Sequence, residues 1–174
     1  MQLNEMLISE LEKEAASTRK ILAAVPNGQY EYKPHEKSMP LGRLATHVAE
    51  LPIWVSRALG ENYDMQGNPL PRPVMDNTEA LLAFFEERLT AAKEALNNVT
   101  NEQLQEDWSL TRGEHVISKA SRFDTMRSWM LNHQVHHRGQ LSVYLRLLDV
   151  PVPGMYGPSA DDILARQAAA EQKA

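Results

Sequence analysis

Apolar residues recur every three or four positions along most of the chain, the spacing of helices with one buried face. Leu3, Leu7, Leu11, Ala15, Thr18 and Leu22 mark a first helix over about residues 3–24, stopped by Pro26-Asn27-Gly28. Residues 27–37 are polar and turn-rich and read as a loop. Ser38-Met39-Pro40 opens a second helix, a capping serine followed by a proline tolerated in the first turn. Leu41, Leu44, Val48, Leu51, Val55 and Leu59 form its buried face. Pro52 lies inside it, where it removes one backbone hydrogen bond and crowds the Val48 carbonyl, so a kink is expected there.

Gly60, Gly67, Pro69, Pro71 and Pro73 then make residues 60–76 a long crossover, too long for a tight helical hairpin. Asp76 or Asn77 caps a third helix that runs to about Asn97, with Glu79 placed for a capping box. Its buried positions are Leu81, Phe84, Phe85, Leu89, Ala92 and Leu96. A short helical turn follows at residues 100–104, and weak alternation around Gly113 over residues 107–118 allows an irregular hairpin. Ser121, with Asp124 three residues on, caps the longest helix, which ends at Val150-Pro151-Val152-Pro153-Gly154. A last short helix starts from a second box, Ser159 and Asp162. The expected architecture is one all-α domain over residues 1–174. It is a four-helix bundle with a long crossover between helices two and three and a short C-terminal helix.

The 43% hydrophobic content is that of an ordinary globular chain. A net charge of −5, with no Lys/Arg run, argues against nucleic acid as a partner. There is no cysteine, which excludes disulfides, thiolate metal sites and a cysteine nucleophile. Four glutamates among the first 14 residues are the opposite of a basic leader, and no apolar run reaches the ~18 residues of a membrane span. A cytoplasmic location with no membrane association is therefore expected.

The candidate chemistry lies in His133-Gln134-Val135-His136-His137 on the long helix. Two histidines four apart stand one above the other, so two imidazoles can meet one metal ion. With His133 at 0° and 100° per residue, Phe123, Met126, Met130, His137, Leu141, Tyr144 and Leu148 fall within about 20–80°. His137 is near the middle of that stripe, His133 about 40° from its centre, and His136 roughly 100° away on the flank. His47 stands at the edge of the buried face of helix two, beside Leu44, Val48 and Leu51. Together His47, His133 and His137 would leave a coordination position open for water or substrate, the pattern of a catalytic rather than a closed zinc site. Neutral imidazoles cancel none of the ion's charge, which favours ionising a bound water, alcohol or thiol. The competing reading is three hydrogen-bonded core histidines. Gln134 occupies the position of the glutamate in the zinc-protease pattern, so that mechanism is not indicated.

Two segments carry a resemblance. Leu41-Gly42-Arg43-Leu44-Ala45-Thr46-His47-Val48-Ala49-Glu50, followed by Asn132-His133-Gln134-Val135-His136-His137-Arg138-Gly139-Gln140-Leu141, resembles the DinB/YfiT superfamily, and the downstream residues to Asp161 are similar to it as well. The resemblance covers nearly the whole chain. It implies a four-helix bundle with a long crossover between helices two and three, and a divalent metal (Zn, Ni or Fe) on His47, His133 and His137. It further implies either a metal-dependent enzyme, a thiol S-transferase or a hydrolase acting on a small-molecule substrate with a low-molecular-weight thiol or water, or a non-catalytic, stress-associated metal-binding protein. Many relatives are dimers, and a homodimer through helix one and the crossover is expected. Around the triad, Gln140 could orient a ligand or sit at the bundle edge. Arg138 could grip a substrate carboxylate or a glutamate on another helix. Tyr144 and Trp54 could wall a pocket or simply be core.

Overall fold

The computed structural model describes residues 2–172. The first long helix, α1 (Leu3–Ala23), buries Leu7, Leu11, Ala15, Thr18, Ile21 and Leu22. The second stretch is two helices, α2 (Leu41–Glu50) and α3 (Ile53–Leu59), separated at Leu51-Pro52. The break falls where the proline has no N–H to continue the ladder. Pro40, rather than Ser38, stands at the N-cap of α2, with no side-chain cap. The crossover carries a two-residue strand, β1 (Tyr63–Asp64), and leads to α4 (Thr78–Asn97). Asn77 caps α4 by accepting from the Ala80 N–H at 2.8 Å. That places Ala80, not Glu79, at the third helical position, so the expected box does not form there.

After the short α5 (Asn101–Gln105), residues 107–121 form the hairpin β2 (Asp107–Arg112) and β3 (His115–Ser121). Gly113 opens its two-residue turn at φ +58°, a conformation glycine adopts without strain. β2 also pairs in parallel with β1, giving a three-stranded sheet of order β1-β2-β3. The hairpin falls where the sequence alternates around Gly113, and the pairing of β1 with β2 is what the sequence reading did not contain. The sheet's tie to the crossover includes Trp108, buried, whose Nε1–H donates to the Glu61 carbonyl at 2.9 Å.

The long histidine helix is continuous in space but not uniform. It comprises α6 (Arg122–Met126), a π-helical stretch (Arg127–Asn132) and α7 (His133–Leu147), with Ser121 capping its start as expected. The last helix, α8 (Ala160–Glu171), opens with the Ser159–Asp162 box and has no buried residue. The core is one apolar cluster drawn from α1, α2, α3, α4, β2 and α6–α7. Among the described residues no helix is long and apolar enough to cross a membrane.

One polar knot crosses this core. Arg138 on α7 is 1% exposed. Its guanidinium donates to the Glu14 carbonyl oxygen at 2.7 Å, to Thr18 Oγ1 at 3.1 Å, and to the Glu14 carboxylate and Tyr156 hydroxyl. The Tyr156 hydroxyl in turn donates to the Glu14 carboxylate at 2.7 Å. Burial, with the carboxylate beside it, pushes this phenol up to about 12. Of the two partners open to Arg138 in sequence, the structure selects the glutamate. Removing one member of a buried pair leaves the other charge unmatched, which costs roughly 3–5 kcal/mol. Arg138→Met is accordingly expected to lower unfolding free energy by about 3 kcal/mol in urea titrations, and Glu14→Gln by less, since Glu14 retains 16% side-chain exposure.

Candidate metal centre

His47 stands on α2, and His133 and His137 on the first turn and a half of α7. The structure brings all three together: one ring nitrogen from each lies within 4.8 Å of the others, an arrangement that could hold a metal ion. Ring centroids are 4.5 Å apart for His47–His137, 4.6 Å for His133–His137 and 5.1 Å for His47–His133. His136 is exposed and stacks edge-on against His137 without joining the group.

The meeting of α2 and α7 traces to Pro52. In a regular helix the Val48 carbonyl would accept from the N–H of residue 52; proline has none. The buried amide of Gln134 takes its place, donating from Nε2 to the Val48 oxygen at 3.2 Å. Val48 follows His47 and Gln134 follows His133, so this bond sets the two imidazoles opposite each other.

The π-helical turn completes the alignment. Such a turn carries one extra residue and rotates the remainder of the helix by about 100°. Gln134 and Arg138 thereby come into line with the buried Met126 and Met130, and both are buried. The helical wheel, built on an unbroken α-period, missed both. It also set His133 nearer the core than it lies: His133 is half-buried and faces a cavity, while His137 is 8% exposed.

Each Nδ1 has an acceptor. His47 Nδ1–H donates to Glu50 Oε1 at 2.6 Å, His137 Nδ1–H to Gln140 Oε1 at 2.7 Å, and His133 Nδ1–H to the Trp129 carbonyl at 3.3 Å. These partners fix the tautomers and leave Nε2 unprotonated on each ring. His47 Nε2 and His133 Nε2 face each other at 3.4 Å. Two lone pairs at that separation are favourable only with a cation between them. Burial, with neighbouring imidazoles, holds His133 below the usual histidine range and pushes His137 down to about 4, so neither ring readily takes up a proton. Converging imidazoles, His137 buried and His47 and His133 half-buried, fit a divalent transition metal. Gln140 thus orients a ring rather than a ligand.

Burial would raise the Glu50 carboxyl, but hydrogen bonds from His47 and Arg43, with the charge of Arg43, hold it below its ordinary value. It is thus an anion just beyond the imidazoles. A cavity of about 830 Å³ opens beside His47, His133 and Glu50, within the roughly 300–1,000 Å³ of small-molecule sites. Trp54 lines it. Tyr144 is instead buried, its hydroxyl donating to the Met39 carbonyl at 3.1 Å.

Fold and site together define a helical bundle with an interhelical three-histidine centre. The chain belongs to the DinB family, whose model matches residues 1–171. It is 26% identical over 162 residues to YrdA, an uncharacterized protein of Bacillus subtilis (strain 168), spanning 92% of each chain. It is 29% identical over 133 residues to YjoA of the same organism, spanning 74% of this chain and 80% of YjoA. A crystal structure of a DinB-like protein from Bacillus cereus ATCC 10987 superposes with a TM-score of 0.65 at 24% identity, covering 83% of this chain and 92% of that one. The crystal structure of YjoA gives 0.64 at 21% identity, covering 84% and 96%. At these identities the two structures speak for the fold.

Two outcomes are expected. Gln134→Met leaves the Val48 carbonyl buried and unpaired, a cost of about 1–3 kcal/mol. The same change in a Pro52→Ala background costs less, because alanine restores the backbone donor at that position; urea unfolding of the four proteins measures the difference. For metal-free protein, the depressed His137 makes the unfolded chain bind more protons than the folded one between pH ~6.5 and ~4. Stability therefore falls as pH drops through that window, by at most about 3 kcal/mol, and His137→Gln flattens the profile.

Proposed function

We propose that the protein is a metal-dependent enzyme in which His47, His133 and His137 hold one divalent ion and a small-molecule thiol or water attacks an electrophile in the adjoining cavity. The observation that carries this reading is the facing of the His47 and His133 Nε2 atoms at the wall of a ligand-sized cavity, with His137 beside them. When bound, the ion supplies Lewis acidity, making a thiol or water a stronger nucleophile at neutral pH. The chain's own groups do the rest. Glu50, Gln140 and the Trp129 carbonyl hold the three Nδ1 protons, and so aim Nε2 of each ring inward. Trp54, Trp129 and Met39 give the cavity apolar walls that reduce competition from water. With no cysteine in the chain, a sulfur nucleophile must come from a cosubstrate.

The test uses protein purified without a histidine tag. Roughly one zinc, nickel or iron ion per chain is expected, and none in His47→Ala. With L-cysteine as the thiol and 1-chloro-2,4-dinitrobenzene as the electrophile, or 4-nitrophenyl acetate for hydrolysis, turnover should fall by about two orders of magnitude in that variant. Undiminished turnover in His47→Ala removes the metal mechanism. Stoichiometric metal with no turnover on either substrate favours the alternative, a metal-binding protein without catalysis.

A further inference from the structure

The cavity's charge is opposite to that of the chain. The protein carries a net −5, yet four arginines and a single carboxylate line this space. That carboxylate, Glu50, is already engaged by His47 and Arg43. The other three arginines, Arg57, Arg72 and Arg112, form no ion pair among the described residues. They come from three separate elements: α3, the crossover and the end of β2.

Arg57 is the most constrained. Its guanidinium lies 5.0 Å from the Trp54 ring and 5.8 Å from that of Tyr63, which holds it in a half-buried position without neutralising it. Burial pushes its pKa below the usual arginine value, with the charge of Glu50 only partly offsetting it. An aromatic wall links it to the histidines. His133 and Trp129 have ring centroids 6.2 Å apart, Trp129 and Trp54 5.1 Å, and Trp54 meets Arg57.

We propose that the cavity takes an elongated small molecule with an oxyanion, a carboxylate or a phosphate, at the end away from the histidines. Arg57 grips that oxyanion with Arg72 and Arg112, and an apolar stretch lies on Trp54 and Trp129. A planar guanidinium matches either oxyanion with paired N–H donors. The anionic end fixes the molecule lengthwise, so that its other end reaches His47 and His133. That reacting end rests on the metal reading above; the grip on the oxyanion does not.

The experiment is calorimetric titration of protein stripped with EDTA, using 4-phenylbutyrate, 4-phenylbutyl phosphate and the neutral 4-phenylbutyramide. At least one oxyanion is expected to bind about tenfold or more tightly than the amide, and which one identifies the headgroup. Arg57→Gln, Arg72→Gln and Arg112→Gln should each reduce that preference, whereas Arg19→Gln, paired elsewhere with Glu86, should not. Arg72 and Arg112 are exposed, so their variants carry the test should Arg57→Gln fail to fold. Equal binding of amide and oxyanions overturns the proposal, as does a preference that survives the Arg72→Gln/Arg112→Gln double variant. Zinc uptake by the same preparation separates the two readings. Zinc bound without an oxyanion preference sinks this proposal alone; an oxyanion preference without zinc uptake sinks the metal reading alone.

Discussion

The Val48 carbonyl, deprived of its helical donor by Pro52 and satisfied by the Gln134 side chain, is the constraint on which the site depends. A buried backbone carbonyl left unpaired is costly, so the amide cannot drift. Because its two ends adjoin His47 and His133, a local defect in α2 becomes a fixed distance between helices far apart in sequence. The proline therefore does two things at once. It ends α2 one turn past the first histidine, and it supplies the acceptor that locks α7 in register. Thr46 secures the same turn from the other side. It donates to the Gly42 carbonyl and accepts from the Met75 N–H at 2.9 Å, which pins the end of the crossover next to His47.

That register has an electrostatic consequence. Three imidazoles meet with their protons turned outward, each to an oxygen. Lone pairs are left pointing at one another in a half-buried site, a frustrated arrangement for the protein alone and a favourable one around a cation. Of the three outer oxygens only Glu50 bears charge, and Arg43 shares it. The histidine end of the cavity thus holds a matched Glu50–Arg43 pair beyond the rings, while Arg57, Arg72 and Arg112 on the same lining form no ion pair among the described residues.

The helices, the crossover, the kink at Pro52 and the caps at Ser121 and Ser159 were legible because each rests on a local rule: periodicity, a missing donor, a side chain within three residues. The grouping of His47, His133 and His137 was legible too, since all three fall on or beside apolar faces. Three things were not. The pairing of β1 with β2 joins residues over 40 apart, and a two-residue strand has no period to read. The π-turn leaves every residue type compatible with an α-helix, so the phase slip that buries Gln134 and Arg138 has no signal of its own. The four arginines of the cavity lie on α2, α3, the crossover and β2, and no spacing along the chain announces that they line one space.

The molecule's division of labour is set by where its polar groups are satisfied. On the α1 side of α7, Arg138 is enclosed, with Glu14, Thr18 and Tyr156 meeting the donors of both terminal nitrogens and only its Nε unpaired, and that knot ties α1, α7 and the segment before α8 together. On the cavity side, the half-buried His133 turns its Nε2 to the cavity and the half-buried Arg57 forms no ion pair among the described residues. A protein interior normally satisfies its buried polar groups, and groups left short of partners concentrate where a ligand completes them. The contrast between the two sides of one helix argues that the open side is shaped by what it binds. The same contrast explains why the bundle tolerates an acceptor-only histidine cluster: the knot supplies the stability that the site, by its chemistry, does not.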